Sequence, residues 1–256
     1  MLEIRNLSAG YSSVPVLHDI SLSIPSGKIT VIVGPNGCGK STLLKALVGI
    51  IPCMSGEVLL GGEHLHRLTT QEQAKRIAYL PQDRRIPDTT VMRLVLHGRF
   101  PYLGYPRRYR HEDVQTALSA LRRMGIDTLA EQPLNTLSGG MRQKAYIAMA
   151  LAQAAPVILM DEPNAFLDIS HQLQLSNQVR ELAEDGKTVI LVLHDLAMAL
   201  KLADHLVVIK DGRVLHHGSP DEALRSGSLS GAFNVKIHPI QTPDGRQYYF
   251  TPLERN

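Results

Sequence analysis

The chain has 256 residues, a formal net charge of +3 and 44% hydrophobic residues. At roughly 100–200 residues per domain, this length fits one large domain or two small ones. The composition excludes a disordered chain, a collagen-like repeat and a disulfide scaffold, since its apolar and charged fractions are ordinary and its cysteines are Cys38 and Cys53. The basic excess is too small to indicate nucleic acid or an anionic membrane as a partner.

Strand-like and helix-like segments alternate along the chain. Strands are predicted at residues 2–7, 16–24, 28–33, 57–60 and 77–80, and helices at 41–49 and 71–76. The spacing of apolar residues is helical from about 89 to 155. Further strands are predicted at 157–160, 188–193, 205–210 and 213–217, with helices at 169–183 and 196–203. The tail from 219 is expected to hold one short helix and a hairpin around residues 242–245. This order predicts a mainly parallel α/β core with an inserted helical block.

The sequence also bears on where the protein works. Its most apolar stretches, at 145–160 and 188–203, are interrupted by polar residues and proline. Neither reaches the roughly 20 uninterrupted apolar residues that a membrane-spanning helix needs. The first residues lack the basic-then-apolar pattern of a signal peptide. We expect a cytosolic protein, or one held at a membrane by another protein.

The most specific motif lies between a predicted strand and a predicted helix. It reads Gly34-Pro35-Asn36-Gly37-Cys38-Gly39-Lys40-Ser41-Thr42 and fits the pattern G-x-x-x-x-G-K-[ST]. Glycines let the backbone turn so that successive N–H groups point at one phosphate, and the following helix adds its positive dipole end. The lysine can reach the terminal phosphates, and the Ser41 hydroxyl can bind Mg²⁺. The motif therefore predicts a nucleoside triphosphate site.

Two acidic residues end the apolar strand at 157–160. Asp161 is placed as a second-sphere or water-mediated partner of Mg²⁺, beside the phosphate loop. Glu162 follows at once and can polarise the water that attacks the γ-phosphate. These two carboxylates predict that the nucleotide is hydrolysed.

A second anion-binding helix start occurs at Leu137-Ser138-Gly139-Gly140-Met141-Arg142-Gln143. Ser138 is a good N-cap, and the residues after it are predicted to be helical up to Pro156. One nucleotide needs one phosphate loop. A second, weaker anion site therefore indicates a nucleotide that is bound elsewhere, for example on a twin subunit.

These motifs, in this order, resemble the ATP-binding subunit of ABC transporters over about residues 2–218. The resemblance implies a P-loop NTPase (RecA-like) α/β core with an antiparallel β subdomain and an inserted α-helical subdomain. It implies an ATPase domain at 1–218, with the core at about 1–88 and 157–218 and the helical subdomain at about 89–156. Residues 219–256 would form a C-terminal extension.

The resemblance also implies a role for each motif residue. Tyr11 matches the aromatic that stacks on adenine, and Gly34 to Thr42 match the phosphate loop that binds ATP. Glu162 and His194 match the catalytic glutamate and the switch histidine. The expected Mg²⁺ ligands are Ser41, Gln82 and Asp161. Ser138, Gly139, Gly140 and Gln143 match the signature that contacts ATP on a second copy, and Asp168, in Ala165-Phe166-Leu167-Asp168, matches the D-loop.

Further segments narrow the resemblance to ATPases of importers for ferric siderophores, haem and cobalamin. They are Gly98-Arg99-Phe100-Pro101, Leu151-Ala152-Gln153, Asp168-Ile169-Ser170-His171-Gln172 and Val192-Leu193-His194-Asp195-Leu196. In that group two ATPase copies, arranged head to tail, serve two permease subunits and an external substrate-binding protein. The protein would then be peripheral, on the cytoplasmic face of the cell membrane, with the surface near 82–101 facing the permease. Ferric siderophore is the first expectation, and haem, cobalamin and molybdate are the alternatives.

Other classes of ABC ATPase act on DNA or ribosomes. The chain carries one cassette and no long coiled coil, and its basic cluster, Arg107-Arg108-Tyr109-Arg110, is small. A solvated or permease-facing surface explains this cluster better, so no nucleic-acid partner is expected. An ATP-dependent enzyme of small-molecule metabolism would have no use for the second anion site.

Overall fold

The computed structural model describes residues 1–12, 14–82, 86–165, 167–243 and 245–253. The chain divides into two compact units. The first consists of Met1–Arg67 and Gln178–Asn256, and the second of Leu68–Asn177. In the described part of the chain, no helix is both long and apolar enough to span a bilayer.

The first unit contains most of the strands. They are β1 (Leu2–Tyr11), β2 (Val14–Ile24), β3 (Ile29–Val33), β4 (Cys53–Leu60), β5 (Glu63–His64), β8 (Thr188–Val192), β9 (His205–Lys210), β10 (Arg213–Gly218), β11 (Val235–Thr242) and β12 (Gly245–Pro252). The second unit contains β6 (Ile77–Leu80) and β7 (Val157–Asp161). Helix α1 (Lys40–Leu47) lies in the first unit. The second unit holds α2 (Thr70–Arg76), α3 (Val91–His97), α4 (His111–Arg123) and α5 (Gly139–Ala152). The boundary between the units falls inside α6 (Ile169–Glu184), and α7 (Leu196–Leu202), α8 (Pro220–Arg225) and α9 (Ser228–Phe233) follow.

The predicted elements are confirmed in type and order, with differences at their ends. Strand β4 starts four residues earlier than predicted, because Gly56, at φ 81°, lets the strand pass a bulge in β1. A Cβ at this position would lie 2.3 Å from the Asn6 carbonyl oxygen. Helix α5 stops at Ala152 instead of reaching Pro156, since Ala154 takes a left-handed conformation at φ 57°. The tail has two short helices where one was predicted, and Gly227, also left-handed, separates them.

Two groups of strands organise the first unit. Strands β2, β1, β4 and β5 pair in that order, all antiparallel. Strand β3 lies between β8 and β9 and is parallel to both, and every residue of β3 and β8 is buried. Because the carboxyl ends of parallel strands share one sheet edge, the loop after β3 and the residues after β8 emerge side by side.

The second unit combines a parallel strand pair with a helical cluster. Strand β6 pairs with β7, with Leu80 opposite Met160, so the chain leaves both strands at the same edge. Helices α3, α4 and α5 pack against one another. Gly98, after α3, permits this approach, since a Cβ there would lie 2.2 Å from the Met149 carbonyl oxygen of α5.

An ion pair is enclosed in this helical cluster. Arg99 Nε donates to Asp113 Oδ1 at 3.0 Å, and the two side chains are 11% and 7% exposed. Arg99 also donates to the Ala152 carbonyl at 2.8 Å, and its guanidinium lies 3.9 Å from the Tyr102 ring centroid. Burial alone would raise the pKa of Asp113, but the Arg110 backbone N–H and the Arg99 guanidinium lower that pKa below its ordinary value.

Candidate functional site

The loop between β3 and α1 has the shape that the phosphate motif predicts. Gly37 and Gly39 have φ values of 78° and 104°, a region that glycine enters without steric cost. Gly39 is the N-cap of α1, so the loop runs directly into a helix N-terminus. Asn36 and Gly37 are exposed at the tip. The loop backbone is therefore open to an anion at the positive end of α1.

Lys40 is held inside this loop. Its side chain is buried, with the residue 5% exposed, and Nζ donates to the carbonyl oxygens of Gly34 and Pro35 at 2.9 Å each. The ammonium is thus fixed at the centre of the loop by the loop's own backbone. This position presents a positive charge where an anion would meet the surrounding N–H groups.

The loop packs tightly against neighbouring segments. A Cβ on Gly34 would lie 2.1 Å from the Ile209 carbonyl oxygen, and one on Gly39 would lie 2.7 Å from Leu17 Cδ2. Close approach to backbone therefore requires glycine at position 34, and the left-handed φ favours glycine at position 39. Cys38 is buried beneath the loop, and burial raises the pKa of its thiol.

Sequence reasoning did not assign Gly212 to the site. Its backbone N–H donates to the Cys38 carbonyl at 3.2 Å, and its own carbonyl accepts from the His18 N–H at 2.8 Å. With φ at 71°, Gly212 forms the turn between β9 and β10. An Asp-Gly dipeptide is typical of a hairpin turn, but the contact of Gly212 with the phosphate loop depends on the fold.

His194 and Tyr11 also belong to the first unit. His194 follows β8 and is exposed, and the adjacent Leu193 N–H donates to the Ile32 carbonyl of β3 at 3.3 Å. His194 therefore leaves the same sheet edge as the phosphate loop. Tyr11, the last residue of β1, is 49% exposed, which leaves a ring face available for stacking.

In the second unit the two strand ends bring Gln82 to Glu162. Gln82 Nε2 donates to Glu162 Oε2 at 2.6 Å, across the parallel pair β6 and β7. Asp161, at the end of β7, is buried with 2% exposure, and Tyr79 Oη lies 3.5 Å from its Oδ2. Gln82, from one predicted motif, and Asp161 and Glu162, from another, thus lie in one cluster.

Glu162 has an unusual backbone conformation. Its φ is 49°, in the left-handed region, which costs a non-glycine residue of order 1–3 kcal/mol. The chain turns sharply there, and the Ala165 N–H donates to the Glu162 carbonyl at 3.1 Å. This turn places the Glu162 carboxylate against Gln82, outside the run of β7.

The signature residues form an open helix N-terminus. Ser138 is the N-cap of the 14-residue helix α5, and its Oγ accepts from the Met141 N–H at 3.3 Å. Ser138 and Gly139 are exposed. Gln143 lies one turn further and is 9% exposed, and its Nε2 has no hydrogen-bond partner among the described residues. The helix start can therefore receive an anion from outside this chain.

The D-loop residue Asp168 is bound by His171, three residues later. Asp168 Oδ1 accepts from the His171 backbone N–H and from His171 Nδ1, both at 2.8 Å. These bonds lower the pKa of Asp168 below its ordinary value.

Phe166 of the D-loop, Asp244 of the tail hairpin and residues 83–85 of the proposed permease surface lie outside the described residues.

Comparison with known proteins decides the family. Residues 17–165 match the family model described as ABC transporter. The chain belongs to the ABC transporter family. This ABC cassette is 40% identical to the achromobactin transport ATP-binding protein CbrD of Dickeya dadantii, over 97% of this chain and 92% of that protein. It is also 40% identical to the ferric enterobactin transport ATP-binding protein FepC of Escherichia coli, over 98% of this chain and 93% of that one.

A solved structure supports the fold of the cassette. The cassette aligns with an inward-facing ABC transporter assigned to the metal-chelate type, with a TM-score of 0.85 and 27% identity. The alignment covers 99% of this chain and 98% of that one. The expected P-loop α/β fold of an ABC ATPase is thereby confirmed. The phosphate loop, Tyr11 and His194 belong to the first unit of the cassette. The second unit contains Gln82, Asp161, Glu162, the signature residues and Asp168.

Proposed function

We propose that this cassette hydrolyses ATP to power the import of ferric siderophores. The observation that carries the proposal is its similarity, over nearly the whole length, to two ATP-binding proteins named for the transport of achromobactin and of ferric enterobactin. The substrate itself touches a permease and not an ATPase, so the assignment of the cargo rests on this kinship. The chemistry rests on the residues of the cassette.

ATP binding is assigned to the first unit. The backbone N–H groups of the phosphate loop, which Pro35 lacks, and the Lys40 ammonium would hold the phosphates, since that ammonium is fixed within the loop. The exposed ring of Tyr11 would stack on the adenine. Stacking reads a purine face without its edge, so Tyr11 supports purine binding and the family supports ATP.

Mg²⁺ fits the donors that the chain offers. Ser41 provides a hydroxyl oxygen, Gln82 an amide oxygen and Asp161 a buried carboxylate, and oxygen ligands of this kind suit Mg²⁺. The described residues contain no cluster of three or more His, Cys, Asp or Glu able to hold a metal by themselves. When bound, Mg²⁺ would neutralise charge on the phosphates.

Glu162 and His194 are assigned to hydrolysis. The Glu162 carboxylate would accept a proton from the attacking water, and its hydrogen bond with Gln82 orients that carboxylate. His194 would donate a hydrogen bond to the γ-phosphate or position the water. Positioning and charge neutralisation contribute most of phosphoryl transfer, so these two side chains need correct placement more than strong basicity.

The open signature helix supports a head-to-tail pair of cassettes. Ser138, Gly139, Gly140 and Gln143 would bind the phosphates of ATP held by a second copy, and Asp168 would communicate between the copies. Two permease subunits would hold the pair at the cytoplasmic face of the membrane, as a peripheral protein, and an external binding protein would deliver the cargo. The residues near 82–101 would face the permease.

Transport by the organism itself tests the proposal. The gene is deleted, and uptake of ⁵⁵Fe-labelled ferric siderophores is measured after complementation with the wild type, Glu162→Gln or Glu184→Gln. Glu184 is an exposed glutamate at the end of α6 and serves as the matched control. We expect uptake to be lost on deletion, restored by the wild type and Glu184→Gln, and not restored by Glu162→Gln.

The same strains distinguish the alternative cargoes. Uptake of labelled cobalamin, haem and molybdate is measured in parallel. Unchanged siderophore uptake in the deletion strain, with loss of one of these three, would replace the siderophore by that cargo. Unchanged uptake of all four would contradict the importer and favour an ABC ATPase that acts on DNA or ribosomes.

A further inference from the structure

In the folded chain, the ring of His171 lies between two separate motifs, the D-loop and the signature. At one side its Nδ1 and backbone N–H bind Asp168 Oδ1, both at 2.8 Å. A carboxylate accepts hydrogen bonds and cannot donate them, so Nδ1 carries the proton that faces Asp168. The Asp168 side chain is 66% exposed and that of His171 is 29% exposed. The bond to Asp168 therefore fixes the orientation of the imidazole ring, most of which is covered by the protein.

The other side of the same ring fills the space next to the signature glycine. A Cβ added to Gly140 would lie 2.5 Å from His171 Cδ2 and 2.6 Å from Nε2. Real Cβ atoms do not approach other atoms so closely, so residue 140 can only be glycine while the ring stays in place. A free ring could swing aside, but the bond between Nδ1 and Asp168 holds this one.

We propose that His171 is a positioning residue that joins the D-loop to the signature loop of the same chain. The ring is anchored to Asp168 and packed on Gly140, so a shift of either loop displaces the other. Gly140 then has a role within its own subunit besides phosphate binding. This inference rests on the proposed function, in which the signature and Asp168 act at the contact between two ATP-bound copies.

The histidine is suited to this task by its shape. It offers a donor close to its own backbone, which reaches a carboxylate three residues earlier, and a flat face for packing. Asparagine offers a comparable donor near the backbone and lacks the ring. Alanine lacks both. The two substitutions therefore separate the bond to Asp168 from the contact with Gly140.

The test uses the full chain with Glu162→Gln, to which His171→Ala, His171→Asn, Gly140→Ala or the pair His171→Ala with Gly140→Ala is added. Affinity for Mg-ATP is measured at low protein concentration, and ATP-dependent self-association by sedimentation velocity. We expect His171→Ala to weaken self-association roughly tenfold while ATP affinity stays within about twofold. His171→Asn should recover part of the loss. His111→Ala, at the exposed start of α4, is the control and should match the parent.

The double variant is decisive, because residues that act as one unit give non-additive effects. We expect His171→Ala with Gly140→Ala to be little worse than the more impaired single variant. Additive losses, or self-association of His171→Ala equal to that of the parent, would overturn the positioning role alone. A Glu162→Gln parent that neither binds ATP nor self-associates would overturn the proposed function, and the positioning role with it.

Discussion

Gln82 Nε2 donates a hydrogen bond of 2.6 Å to Glu162 Oε2, across the carboxyl ends of β6 and β7. The two residues are 80 positions apart in the chain, and the parallel register of Leu80 with Met160 brings them together. Glu162 reaches this position through a left-handed backbone. An amide is a neutral donor, so it orients the carboxylate without removing its capacity to accept a proton.

Replacing Glu162 by glutamine should stop turnover and spare ATP binding. The substitution keeps the size of the side chain and removes its basicity, and loss of a general base commonly costs about 10²–10⁴ in rate. The measurement is phosphate release by the cassette assembled with its permease, together with the ATP affinity of each variant. Glu184→Gln should behave as the wild type. Wild-type turnover by Glu162→Gln would remove this residue from its catalytic role.

Replacing Lys40 by methionine should abolish tight ATP binding. The ammonium bound to the Gly34 and Pro35 carbonyls is the charge at the centre of the loop, and methionine matches its stem without the charge. We expect the dissociation constant for a fluorescent ATP analogue to rise at least about tenfold, as follows from losing one charge-assisted contact. Lys236→Met, at an exposed position of β11, is the control. An unchanged affinity in Lys40→Met would contradict phosphate binding by this loop.

Replacing Asp113 by asparagine should destabilise the helical cluster in a pH-dependent way. The substitution removes the charge from the bonds to Arg99 and to the Arg110 N–H, which leaves the buried Arg99 guanidinium without its counter-charge at a cost of about 2 kcal/mol at pH 7. The folded state lowers the pKa of Asp113, so its stabilisation is present above the ordinary value of 3.8 and is lost as the pH falls through the lowered pKa.

Urea unfolding followed by circular dichroism measures this difference. The gap in the free energy of unfolding between the wild type and Asp113→Asn should be full at pH 7 and should shrink at pH values below 3.8. Glu112→Gln, on the exposed face of the same helix turn, should change the free energy only slightly. A gap that is absent at pH 7 would show that the ion pair does not stabilise the fold.

Alkylation of Cys38 should be slow in the folded protein. The thiol is buried beneath the phosphate loop, and burial raises its pKa, so the reactive thiolate is scarcer than in a free cysteine at the same pH. In a Cys53→Ser background, we expect N-ethylmaleimide to modify Cys38 at least about tenfold more slowly at pH 8 than in urea. Mass spectrometry of quenched samples follows the reaction. Equal rates in both conditions would mean that the loop exposes the thiol.

The motifs were readable from the sequence because each is a local pattern. Gly34 to Thr42 need only their own backbone and the next helix to form a phosphate loop, and the apolar runs that became β3, β7 and β8 identify themselves by composition. The order of these local patterns along the chain indicated the family. The comparisons confirmed it, and the roles assigned to individual residues stay predictions.

Contacts between distant segments could be decided only by the tertiary structure. Gly212 bonds to Cys38, and Gln82 bonds to Glu162, because strand register brings together residues that no local pattern connects. The same is true of His171, whose ring takes the space of a Cβ on Gly140. Sequence patterns thus predicted which residues bear the chemistry, while the packing of distant segments determined what holds those residues in place.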